Sequence, residues 1–315
     1  MNSYEIETVE SRFISKGDRC DGSLWLPKGV SRPPVIVMAH GFGAIRDVGL
    51  QAFAERFSAS GYAVYAFDYR GFGHSEGKPR QWVSPRRQLQ DWAAAIAHVR
   101  ALPQVDGERL VLWGVSLSGG HVLQTAAHDH GVGAVIAQVP HVSGPASIAQ
   151  VPPLTLPRLS LAGIRDLIGG AFGKPHYAAT VGRPGDVAAL SAPGAWEGYV
   201  GMVPEGAPWE NRARARVFLE LPFYSPIRHV RRIKAPTLIL AGSRDTIVPA
   251  RSARIAAERI PNGRFALLDT DHFELHSGEA FERNISLQLA FLDEVLPAAK
   301  AAASDHQTGG KEVAA

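Results

Sequence analysis

Five short, mostly apolar runs punctuate the chain, at 35–39, 62–67, 109–113, 134–139 and 237–241, and the loops after them carry Gly, His, Asp or Ser. A strand that is apolar at nearly every position is covered on both faces, as in a parallel sheet flanked by helices. Helical patterns at 48–60, 85–102, 121–130, 252–260 and 279–296 fall between and after these runs, and a further strand is expected at 264–268. The alternation predicts an α/β fold on a doubly wound, mostly parallel sheet. Residues 4–13 and 20–26 alternate more loosely and read as antiparallel strands joined by a turn at 16–18. In doubly wound sheets ligands bind at the carboxyl ends of the strands. His40, Phe42, Asp68 and Ser116 all stand at such ends.

The third run leads into Gly114-Val115-Ser116-Leu117-Ser118-Gly119-Gly120. Strand, sharp turn and helix with a serine at the apex is the pattern of a nucleophile elbow. Bulk two positions either side of the serine would collide across so tight a turn. Gly114 meets that need, and Ser118 stands where a second glycine is usual. Ser118 is the rival nucleophile; Ser116 is preferred because it lies just past the strand end.

Residues 140–225 break the rhythm with Pro, Gly and short apolar segments, and no buried strand is evident there. A stretch this long is no passive connection. It reads as a mainly helical cap inserted between two parts of one core, at 1–139 and 226–297, with a frayed tail at 298–315. The cap leaves one strand end and returns before the next, which sets it over the carboxyl-end face. Its Trp196, Tyr199, Met202, Trp209, Phe223 and Tyr224 either line an apolar substrate pocket or form the cap's own small core, as do Phe218 and Leu221.

A serine nucleophile needs a base to take its proton and a carboxylate to orient that base. The chain supplies Ser116, then Asp245 after one strand, then His272 after the next, the order found in α/β hydrolases. With Ala39-His40-Gly41-Phe42-Gly43, the run 67–75, the elbow, the run 241–249 and Asp271-His272-Phe273, the chain resembles the α/β-hydrolase superfamily over nearly its full length. Within it the chain looks most like bacterial serine hydrolases described as dienelactone-hydrolase-like, acetylxylan-esterase-like or serine-aminopeptidase-like. The resemblance implies Ser116 as nucleophile, His272 as general base and Asp245 as its orienting carboxylate. It also implies an oxyanion hole from the backbone N–H groups of Phe42 and Leu117. The likeness does not fix a substrate, and cleavage of a carboxylic ester through an acyl-enzyme is the expectation. Amide or C–C bond cleavage with the same residues, and a silent small-ligand receptor, are the alternatives. Asp269 and Asp271 are nearer His272 in sequence, but adjacent side chains rarely face each other as a triad requires. Asp68 and His40 are expected to be structural.

Other classes find less support. The net charge is +3, and Arg212, Arg214 and Arg216 read as a solvated helix face rather than a nucleic-acid patch. Cys20 is the only cysteine, so intramolecular disulfides are impossible. His128-Asp129-His130 lacks a third ligand, so neither a metal nor a cofactor is expected. Residues 151–172 are the nearest approach to a membrane span, but Arg158, Arg165, Asp166 and prolines interrupt them. The N-terminal residues lack the pattern of a secretory signal. A cytoplasmic enzyme is expected, acting on a small molecule with an apolar acyl or aromatic part, without nucleic-acid or membrane partners and with homo-oligomerisation open.

Overall fold

The computed structural model describes residues 3–298. The apolar runs form one eight-stranded sheet. Its strands are β1 (Ile6–Glu10), β2 (Gly22–Pro27), β3 (Pro34–Ala39), β4 (Ala63–Phe67), β5 (Asp106–Val115), β6 (Ala134–Gln138), β7 (Thr237–Gly242) and β8 (Gly263–Leu268). They lie in the order β1-β2-β4-β3-β5-β6-β7-β8. β2 runs antiparallel to both β1 and β4, and every other neighbouring pair is parallel. β3, β4, β6 and β7 are buried at every residue. The edge strand β8 is largely half-buried or exposed.

Side chains alternate between two core layers, as the pleat requires. Val35, Val37 and Ala39 of β3 join a cluster containing Trp92 and Ile96 of α2 (Pro85–Arg100), Val122 and Leu123 of α3 (Leu117–Ala126) and Ala256 of the helix Ala250–Arg259. Ile36 and Met38 face the opposite cluster, with Phe53 and Phe57 of α1 (Gln51–Ala59) and Ile285 and Phe291 of the helix Gly278–Val295. Helices on both faces explain why the central strands carry no polar alternation.

Four expectations are corrected. The stretch 4–13 is not one strand: β1 ends at Glu10, and Phe13–Ser15 pairs with Asp18–Cys20 in a separate hairpin. Its turn sits at Lys16 and Gly17, both at positive φ. The helix after the elbow starts at Leu117 and ends at Ala126, not 121–130, because the turn at Ser116 delivers the chain directly into it. The excursion between β6 and β7 is not helical alone. It holds α4 (Gly144–Ile148), α5 (Leu156–Ala171), α6 (Ala195–Gly201) and α7 (Val217–Glu220), and a small sheet in the order Ala188–Leu190, Tyr177–Val181, Ala213–Arg214. The run of Arg212, Arg214 and Arg216 is likewise no solvated helix face: Arg214 is buried in that small sheet against Asp166. The helices Ala250–Arg259 and Gly278–Val295 complete the chain as α8 and α9. Apart from Ala298, the expected tail lies outside the described residues.

Candidate active site

Ser116 sits where β5 becomes α3, with φ 55° and ψ −119°. A side chain rarely adopts a positive φ, and the surroundings hold this one there. The Ser116 N–H donates to the Gln138 carbonyl at 2.9 Å, and its own carbonyl accepts from the His141 N–H at 2.9 Å. A Cβ at Gly114 would collide with the Ser118 carbonyl oxygen, and one at Gly41 would lie 3.2 Å from the Ser116 Cβ. Ser118 is fully buried, with its hydroxyl 2.9 Å from Tyr69 Oη, which also accepts from Trp92 Nε1. The second small residue of the elbow is therefore bound inward.

The loops after β7 and β8 bring Asp245 and His272 to this serine. His272 Nε2 lies 3.1 Å from Ser116 Oγ, and His272 Nδ1 lies 2.6 Å from Asp245 Oδ2. The other Asp245 oxygen accepts from the backbone N–H groups of Ile247 and Val248 at 2.8 and 2.9 Å. With the carboxylate buried and oriented from three directions, Nδ1 is the protonated nitrogen and Nε2 is free to accept from the hydroxyl. The rival carboxylates are engaged elsewhere. Asp271 accepts from the N–H groups of Phe273 and Glu274, and Asp269 pairs with Arg244 and Ser243.

Phe42 and Leu117 are both buried at the strand ends, and among the described residues their backbone N–H groups have no acceptor. The loop carrying Phe42 is fixed from two sides. His40 Nδ1 donates to the Gly41 carbonyl at 3.0 Å, and burial lowers the pKa of His40 to about 4, so the ring is neutral. Tyr199 Oη donates to the Phe42 carbonyl and Trp209 Nε1 to the Gly43 carbonyl, each at 2.9 Å. Gly43 has φ 62°, and a Cβ there would sit 2.7 Å from Thr180 of the small sheet. Asp68 is buried, accepts from the Arg46 N–H at 2.7 Å, and has its pKa raised by that burial.

The residues expected to line a pocket thus separate. Tyr199 and Trp209 hold the 41–43 loop. Met202 lies against Gly49, and Trp196 is half-buried beneath the Arg183 guanidinium. Tyr224 is 2.7 Å from His121 Nδ1 and stacks on His141. Phe223 is 82 % exposed and lines a groove of about 640 Å³ with Pro85, Leu89 and Ala93, whose walls include none of Ser116, Asp245 and His272. One residue that sequence reasoning missed is Gln138. Its side chain joins Asn284, Gln288 and His276 in a buried hydrogen-bonded cluster, while its carbonyl holds Ser116. A polar residue near the end of an apolar run was the available signal.

Among the described residues no group of three His, Cys, Asp or Glu is placed to hold a metal ion, and no helix is long and apolar enough to cross a membrane. The quorum-quenching protein AidA of Acinetobacter baumannii is 40 % identical to this chain over 298 residues, 94 % of this chain and 98 % of that protein. The thiohydrolase aneE of Aspergillus aculeatus is 27 % identical over 91 % of this chain and 93 % of its own. A solved structure of DcsB in complex with its substrate analogue superposes with a TM-score of 0.80 at 26 % identity, covering 93 % of this chain and all of that one. Residues 34–279 match the family described as the alpha/beta hydrolase fold, a span running from β3 into α9 that includes Ser116, Asp245 and His272. The chain therefore belongs to the alpha/beta hydrolase fold family.

Proposed function

We propose that the protein is a serine hydrolase that cleaves a carboxylic ester through an acyl-enzyme, with Ser116, His272 and Asp245 as its triad. The observation that carries this reading is His272 bridging Ser116 Oγ and Asp245 within hydrogen-bond distance of each. Ser116 Oγ bonds to the carbonyl carbon of the ester as its proton passes to His272 Nε2. The negative charge on the carbonyl oxygen is held by the N–H groups of Phe42 and Leu117. Collapse breaks the bond to the alcohol oxygen, which takes the proton from His272. Water then adds to the acyl carbon, giving a proton to His272. The acid leaves as Ser116 Oγ recovers that proton. Asp245 keeps the ring in the tautomer that accepts from Ser116 and stabilises the imidazolium.

In this reading residues 140–225 cap a site that takes a small molecule with an apolar acyl or aromatic part. The contact of Gly198 with the Phe273 ring supports this, since it brings α6 onto the residue next to His272. A second reading, hydrolysis of a thioester, is favoured by the relative named as a thiohydrolase. The same triad serves it, because the thiol simply replaces the alcohol as leaving group.

The test is hydrolysis of p-nitrophenyl esters of increasing acyl length, with acyl thioesters in parallel. The relative named for quorum quenching adds ester-containing cell–cell signals to the panel. Turnover of one series should fall by about 10⁴-fold or more in Ser116→Ala. Hydrolysis at the wild-type rate in that variant overturns the proposal.

A further inference from the structure

Helix α5 is turned against the usual rule for surface helices. Its buried positions are Leu159, Ala162, Gly163 and the charged Asp166. Facing solvent are Leu161, Ile164, Leu167 and Ile168, with Leu154 before the helix and Phe172 at its end. Leu161, Ile164, Ile168 and Phe172 recur at spacings of three and four, so they form one stripe.

This orientation is held in place. Asp166 accepts from Arg214 Nε and Nη2, from Arg216 Nε and from the backbone N–H groups of His176 and Arg216, at 2.7–3.2 Å. Gly163 allows a close approach, since a Cβ there would lie 2.8 Å from the Leu219 side chain. Rotating the helix to bury its leucines would expel a carboxylate held by two guanidinium groups and drive that contact apart. The apolar stripe is therefore the face that α5 presents.

We infer that this stripe is the contact surface for a second copy of the chain, giving a dimer paired through α5. The six exposed residues range from 45 % (Ile164) to 90 % (Leu154) exposed. At roughly 120 Å² of apolar area for each fully exposed large apolar side chain, they offer on the order of 450 Å². That is about the apolar share, roughly 57 %, of the roughly 800 Å² per partner of a stable interface, and it falls within the roughly 300–600 Å² of the largest, often functional, patch on a typical monomer. A lipid surface fits less well. Helices that lie in a membrane interface carry cations across the face opposite the apolar one. The opposite face here holds Asp166 and is packed on the protein, and the exposed cations Arg158 and Arg165 follow one edge of the stripe.

Light scattering on the full chain across a micromolar dilution series tests this. Wild type should show a mass near twice the 33.8 kDa of one chain. The double substitution Leu161→Lys with Ile168→Lys should halve it, with circular dichroism and thermal transition showing a folded protein. Leu287→Lys, at an exposed leucine of α9, should leave the dimer intact. A wild-type mass of one chain throughout, with or without flotation on anionic phosphatidylglycerol vesicles, overturns the inference. So does a double variant that remains dimeric.

Discussion

Tyr199 and Trp209 end in hydrogen bonds to two successive carbonyls, those of Phe42 and Gly43. Phe42 supplies a proposed oxyanion donor through its N–H, so a group that fixes its carbonyl also restricts how that residue rotates. On that reading Tyr199 acts as a positioning residue through the Phe42 carbonyl. Tyr199→Phe keeps the ring and removes one hydrogen bond, worth about 1 kcal/mol. Steady-state kinetics should show kcat down about fivefold to tenfold with KM within twofold. A change confined to KM would instead mean that Tyr199 touches the substrate. Ser118 shows how a departure from a motif can be accommodated. Its hydroxyl faces Tyr69 inside the core, so the position needs a small side chain that tolerates burial.

The strands that were legible in the sequence are those whose burial is unconditional. β3, β4, β6 and β7 are apolar because helices cover both faces, and no partner had to be known to read them. Asp245 could be nominated because it follows such a strand, Ser116 because it follows the fully buried end of β5, and His272 because it follows the last strand, β8, in the expected chain order; the sheet brings those ends together. The small sheet between β6 and β7 was not legible. Its strands span two to five residues, and distant groups hold them, as when the Asn211 side chain accepts from the Val181 N–H and donates to its carbonyl. The inverted face of α5 was hidden for the same reason. Asp166 interrupts an apolar run until Arg214 and Arg216, far along the chain, are seen to enclose it. The cluster of Gln138, Asn284 and Gln288 ties α9 to the end of β6, and only the three-dimensional pairing shows that these amides answer one another.

Among the described residues, three histidines outside the proposed triad are buried, His40, His121 and His141, and His276 is half-buried. Burial lowers the pKa of His40, His141 and His276 to about 4 and that of His121 to about 3. In the unfolded chain these rings titrate near 6.5. Between roughly pH 6.5 and 4 the unfolded state therefore binds protons that the folded state refuses. Stability present above pH 6.5 is lost as pH falls through that window, by up to about 1.4 kcal/mol per histidine per pH unit. Asp47, Asp68 and Asp91, raised by burial, oppose this toward its acidic end. The urea midpoint should be lower at pH 5 than at pH 7, and His121→Gln should narrow that difference. Equal midpoints, or an unchanged difference in the variant, would contradict this account.

The central claim is that Ser116 forms the covalent bond to the substrate. Its most direct measurement is peptide mapping by mass spectrometry after reaction with a fluorophosphonate, comparing wild type with His272→Gln. One phosphonyl group on Ser116, formed at least about 100-fold more slowly without His272, is the expected result. An adduct on Ser118 or another residue, or no adduct on folded wild-type protein, would contradict it.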